Sequence, residues 1–142
     1  MKEIKKTLRI ASTNWIHLVG FYVTTYLSLI LFKLVGLEGS ENDYWDVLLF
    51  LSLLTIPLLF FTYVLIIIAS FFGAILLLDS IGFNLKIQRT RLILIFQWII
   101  ITPPFIFWAF EYEYWLWLSL CLSFLVTQLI REKTINKILS GN

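Results

Sequence analysis

Residues 108–117 read WAFEYEYWLW and interrupt an apolar run that extends over residues 92–130. Glu111 and Glu113 alternate there with Tyr112 and Tyr114. If residues 92–130 form one helix, both carboxylates lie deep in an apolar medium, which implies catalysis or transport. If they form two helices, the glutamates mark a short turn where the chain leaves a membrane and re-enters it.

The rest of the sequence favours the turn. Of the 142 residues, 60% are hydrophobic and 14% charged, against about 25% charged in soluble domains. Apolar stretches at residues 16–37, 47–78, 92–110 and 115–130 take up most of the chain. A hydrocarbon core of about 30 Å is crossed by about 20 helical residues, so the chain fits four crossings with short connections. The run LLFLSLLTIPLLFFTYVLIIIASFFGAILLL at 48–78 lacks the apolar–polar alternation of a barrel strand, and a helix satisfies its own backbone in lipid. The expected fold is all-α: one polytopic integral membrane domain over 1–142. Its four transmembrane helices are expected at about 15–37, 47–78, 92–110 and 114–131. A basic amphipathic segment, 1–14, precedes them and a basic tail, 132–142, follows. The first apolar run exceeds a secretory h-region and no A-x-A-like cleavage site follows it, so it reads as a retained helix.

Charge sets the expected orientation. Lys2, Lys5, Lys6 and Arg9 precede the first helix, Lys86, Arg89 and Arg91 lie between the second and third, and Arg131, Lys133 and Lys137 follow the fourth. The connections EGSENDYWD and EYEY carry Glu38, Glu41, Asp43, Asp46, Glu111 and Glu113 and no Lys or Arg. Basic residues of short loops stay cytoplasmic, so both termini are expected inside, as in a bacterial inner-membrane protein. Tyr44, Trp45, Trp108, Tyr112, Tyr114, Trp115 and Trp117 suit the opposite headgroup belt. Lys33 reads as an interfacial anchor near Glu38 or Glu41, and Asp79 as a cap or partner of Lys86. Pro57 can kink the second helix and Pro103–Pro104 the third, while Gly82 and Asn84 are candidate terminators of the second.

Helices in lipid pack through small and hydroxyl residues. At 100° per residue, His17, Gly20, Thr24 and Ser28 share one face of the first helix with Thr13. Thr55, Thr62 and Gly73 share a face of the second with Ala69, and Ser119, Ser123 and Thr127 recur every four residues in the fourth. These are the helix-packing candidates, within the bundle or between copies. The tails are amphipathic too: Ile4, Leu8, Ala11 and Trp15 oppose the N-terminal lysines, and Ile135, Ile138 and Leu139 lie among the C-terminal cations. Such segments bind an anionic membrane surface or a cytoplasmic partner.

Chemistry is sparse. His17 is the sole histidine and no HExxH, phosphate-binding or dinucleotide-binding glycine motif occurs. Cys121 is the single cysteine and has no internal disulfide partner. No catalytic residue, metal site or cofactor is expected, and no nucleic-acid partner. The expected partners are membrane lipids, further copies of this chain or another membrane subunit, and a cytoplasmic protein. The leading functional expectation is a non-catalytic membrane subunit that anchors or regulates a cytoplasmic partner in a multi-protein system, such as bacterial defence or secretion. Alternatives are an immunity protein against a membrane-inserted toxin, and an oligomeric channel or membrane-disrupting effector. In an oligomer Glu111 and Glu113 would repeat as an outer acidic ring.

Overall fold

The computed structural model describes residues 2–36, 49–50, 52–54, 56–58, 65–84 and 89–140, with the side chains of residues 2–5 and 84 outside that set. The principal elements are α1 (Lys2–Ser12), α2 (Trp15–Val35), α3 (Leu65–Asn84), α4 (Thr90–Glu111) and α5 (Leu116–Ser140). Residues 49–50, 52–54 and 56–58 are helical as well, and no strand occurs among the described residues. Lys6–Val35, Leu65–Phe83 and Thr90–Glu111 are long and apolar enough to cross a membrane. The chain is an all-helical membrane protein.

Helix α5 differs from the other three. Its apolar part is interrupted by Gln128 and then by Arg131, Glu132 and Lys133, yet the helix continues without a break to Ser140. The expected tail at 132–142 is therefore, through Ser140, the C-terminal third of α5. Side chains order the helices as an up-down-up-down bundle. His17 of α2 meets Thr127 of α5, and Thr24 meets Ser123. Trp98 of α4 donates to the Cys121 carbonyl of α5, while Phe71 of α3 packs on Phe105 of α4 and Phe21 of α2.

The ends of the helices follow local rules. Gly36 caps α2 in the left-handed region at φ 73°, with its N–H on the Lys33 and Phe32 carbonyls. At the C-terminal end of α4, Tyr112 N–H bonds the Trp108 carbonyl and Tyr114 N–H bonds the Ala109 carbonyl. That six-to-one bond closes α4 in the Schellman manner, which needs a left-handed residue in between. Glu113 occupies it at φ 51°. WAFEYEYWLW is thus a tight helix-to-helix turn, with Glu111, Tyr112, Glu113 and Tyr114 all exposed. Pro103 and Pro104 lie inside α4, which runs on through them; each removes one N–H from the ladder. Pro57 lies in the helical residues 56–58, and α3 continues past Gly82 to Asn84.

Burial is inverted relative to a soluble protein. Leu27, Leu31, Ile66, Phe96, Phe107, Phe110 and Leu122 are exposed, whereas Asp79, Gln97, Gln128 and Arg131 are buried. Along the bundle axis the interior is layered. Phe21, Phe71, Ile75, Ile101 and Phe124 form one apolar cluster, and Ile10, Leu94 and Ile135 form a second. Between them, three or four residues along each helix, lies a polar layer.

Candidate functional site, a buried polar layer

Each helix sends one or two polar side chains into this layer, because each carries a polar residue one turn from an inward-facing apolar one. Asp79 follows Ile75 on α3, Gln97 precedes Ile101 on α4, and Gln128 and Arg131 lie between Phe124 and Ile135 on α5. The elbow between α1 and α2 adds Thr13 and Asn14, and the first turn of α2 adds His17. Gln97 stands seven residues into α4, which at 1.5 Å per residue puts the layer about 10 Å inside that helix.

The hydrogen bonds close into a ring. Gln97 Nε2 donates to Asp79 Oδ1 at 2.8 Å, and Gln128 Nε2 donates to Gln97 Oε1 at 3.0 Å. Arg131 Nη1 donates to Gln128 Oε1 at 3.4 Å, and its Nη2 returns to Asp79 Oδ2 in an ion pair. The charges fix the amides: both glutamines turn NH₂ towards the carboxylate side and oxygen towards the guanidinium side. Such a network satisfies its members in a low-dielectric interior, where an unpaired charge would be costly.

Arg131 also holds the elbow. Its Nε donates to Thr13 Oγ1 at 2.7 Å and its Nη2 reaches the Ile10 carbonyl at 3.4 Å. A cation at the last carbonyls of α1 complements the negative end of that helix. Asn14 Nδ2 donates to Asp79 Oδ2 at 3.3 Å. One ion pair therefore ties α1, α2, α3 and α5 together, and Gln97 brings in α4.

His17 Nδ1 lies 2.7 Å from Thr127 Oγ1. A threonine beside an imidazole raises the question of nucleophilic catalysis. The Thr127 hydroxyl, however, is bonded back to the Ser123 and Phe124 carbonyls, and the imidazole packs among Phe21, Phe71 and Phe124. The pair is a seam contact between α2 and α5. His17 Nε2 and Asn14 Oδ1 are buried polar atoms without a hydrogen-bond partner among the described residues. Among the described residues no group of three His, Cys, Asp or Glu side chains could hold a metal ion.

The packing candidates divide. Gly20, Thr24 and Ser28 face Ser119, Ser123 and Thr127 across one groove between α2 and α5, and the buried His17 meets Thr127 on the same seam. Gly20 is the point of closest approach, since a Cβ there would come within 2.2 Å of Thr127 Cγ2. Gly73 does not join them: it is exposed, and a Cβ there would meet nothing within 4 Å. Thr55 and Thr62 lie outside the described residues, as do Lys86 and the side chains of Lys2 and Lys5.

Among the basic candidates, Lys6, Arg9, Arg89, Arg91, Lys133 and Lys137 are exposed. Arg91 pairs with Glu132 at 3.0 Å across α4 and α5. Arg131 corrects the sequence reading: expected at the surface, it is completely buried. The continuous α5 rotates it onto the inward face, one turn from Gln128. Asp79 likewise turns into the bundle and pairs with Arg131; the partner expected from the sequence, Lys86, lies outside the described residues. The apolar stripe of α5 is partly consumed as well, with Ile135 and Ile138 packed on Ile10 and Leu94. The sequence reading overlooked Gln97 and Gln128. Their signal was available, as amides set within predominantly apolar runs.

Comparison with protein-family models, with curated proteins and with solved structures gave no match.

Proposed function

We propose that this chain is a non-catalytic membrane subunit with both termini cytoplasmic, which presents a preorganised basic surface to an acidic cytoplasmic protein. The supporting observation is the Arg131 clamp. It joins the α1–α2 elbow to α5, so the segments bearing Lys6, Arg9, Lys133 and Lys137 belong to one folded body. A segment used only as a lipid tether needs no such attachment. Leu8 and Trp15, each 64% exposed, supply apolar anchors beside the charges, a combination suited to a protein interface. The orientation rests on the exposed cations at the end of the bundle opposite Glu111 and Glu113. A pore through a lone protomer is disfavoured, because Phe21, Phe71, Ile75, Ile101 and Phe124 fill the bundle axis.

The test is affinity capture from native membranes of the wild type and of two charge reversals, Lys6→Glu/Arg9→Glu and Lys133→Glu/Lys137→Glu. All four positions are exposed, so the clamp stays intact. The expected result is a soluble protein retained by the wild type and lost from both variants while membrane insertion is unchanged. Identical sets of retained proteins from all three forms would refute the reading.

A further inference from the structure

We infer that the start of α4 is a specific binding site for an anionic glycerophospholipid with a hydroxyl-bearing headgroup, such as phosphatidylglycerol. A cleft of about 420 Å³ opens there between α4 and α5, lined by Arg89, Thr90, Arg91, Glu132 and Asn136, with Leu92 and Ile95 at its edge. Helix α4 begins at Thr90, and Arg89 in extended conformation precedes it without a side-chain cap. The first N–H groups of a helix favour an anion. Thr90 adds an independent sign of a ligand. It is only 7% exposed and lines the cleft, yet its hydroxyl has no hydrogen-bond partner among the described residues.

Charge selects the headgroup. Arg91 uses Nε on the Glu132 carboxylate, which leaves its Nη groups without a partner among the described residues. Among the described residues Arg89 and Arg91 against Glu132 leave the cleft with one net positive charge, which matches a single phosphodiester. A zwitterionic headgroup leaves that charge uncompensated. Glu132 and Asn136 then face the headgroup beyond the phosphate, where glycerol hydroxyls can donate to the carboxylate and exchange hydrogen bonds with the amide.

The apolar half of the site is contiguous. Leu92 and Ile95 also line a groove of about 530 Å³ between α3 and α4, which continues along Phe96 and Ile99. These four residues follow one stripe of a helix long and apolar enough to cross a membrane, and all are exposed. A phosphate at Thr90 therefore sits at the helix end, with an acyl chain running down the stripe into the hydrocarbon. This site is independent of the protein-docking surface proposed above.

The test is native mass spectrometry of the full chain from micelles doped with long-chain phosphatidylglycerol, phosphatidylethanolamine or phosphatidylcholine. Competition by inorganic phosphate and by short-chain phosphatidylglycerol completes the set. The wild type is expected to retain long-chain phosphatidylglycerol about tenfold over phosphatidylcholine, a ratio typical of charge-assisted hydrogen bonds. Arg89→Gln/Thr90→Val should abolish that preference with helicity unchanged, and Arg89→Gln alone should reduce it. Short-chain lipid and inorganic phosphate should compete poorly. Unchanged retention by the double variant would overturn the site. Equal retention of phosphatidylethanolamine would overturn the charge match, and displacement by inorganic phosphate would make it a free-anion site.

Discussion

Replacing Arg131 by Gln removes the cation from the polar layer and leaves Asp79 buried with Gln97 and Asn14 as its donors among the described residues. The guanidinium makes contacts to Asp79, to Thr13 Oγ1, to Gln128 Oε1 and to the Ile10 carbonyl, so its loss strips both the ion pair and the hold on α1. Breaking a buried pair from one side costs about 3–5 kcal/mol, because the remaining charge is uncompensated. Asp79→Asn should cost a similar amount by stranding the guanidinium. Independent effects would sum to about 6–10 kcal/mol, which approaches or exceeds the whole stability of a typical domain. The double variant Asp79→Asn/Arg131→Gln removes both charges and keeps amide groups able to complete the ring with Gln97 and Gln128. Its expected cost is about 1–3 kcal/mol, since only neutral hydrogen bonds and fit are lost. The assay is reversible unfolding in mixed micelles titrated with a denaturing detergent, followed by far-ultraviolet circular dichroism. Hydrogen exchange should in parallel show α1 opening first in Arg131→Gln. If both single variants unfold within about 1 kcal/mol of wild type, or the double variant equals their sum, the ion pair does not hold the bundle.

Three further outcomes are expected. Gly20→Ala should weaken the α2–α5 seam by about 1–3 kcal/mol through overpacking against Thr127 Cγ2. Adding Thr127→Ser, which keeps the hydroxyl and deletes that methyl, should recover part of the loss in the same unfolding assay. Glu113→Gly should stabilise the α4–α5 turn by about 1 kcal/mol, because glycine tolerates the positive φ that glutamate occupies at a steric cost; an unchanged or lower midpoint would contradict the turn geometry. Phe71→Ala should cost about 3 kcal/mol, since Phe71 touches the rings of His17, Phe21, Phe72, Phe105 and Phe124, whereas Phe96→Ala on the exposed surface should cost under about 0.5 kcal/mol.

Hydropathy along the chain was enough to read helices of membrane length, and the reason is physical. A bilayer forces each crossing to satisfy its backbone internally, so the element and its approximate bounds follow from the length of the apolar run. The glutamates of WAFEYEYWLW were legible for the same reason: two charges flanked by Tyr and Trp belong at an interface, and the exposed turn at residues 112–114 is what such a pattern requires. The hydroxyl stripe of Gly20, Thr24, Ser123 and Thr127 was legible as a contact face because its spacing matches the helix period. Gly73 has the same spacing, yet a Cβ there would meet nothing within 4 Å among the described residues, so periodicity nominates faces without saying which of them meet.

What only the tertiary structure decided is the polar layer. Composition counted Arg131 with the C-terminal cations, and proximity along the chain gave Asp79 to Lys86. Neither view includes the rotation of one helix against another. Arg131 is 52 residues from Asp79 in sequence and 118 from Thr13, so the pairing appears only when α1, α3 and α5 are brought together. Hydropathy acts residue by residue and is written in the sequence. The partner of a buried charge is a property of two helices at once, fixed by the requirement that no charge enter the hydrocarbon alone.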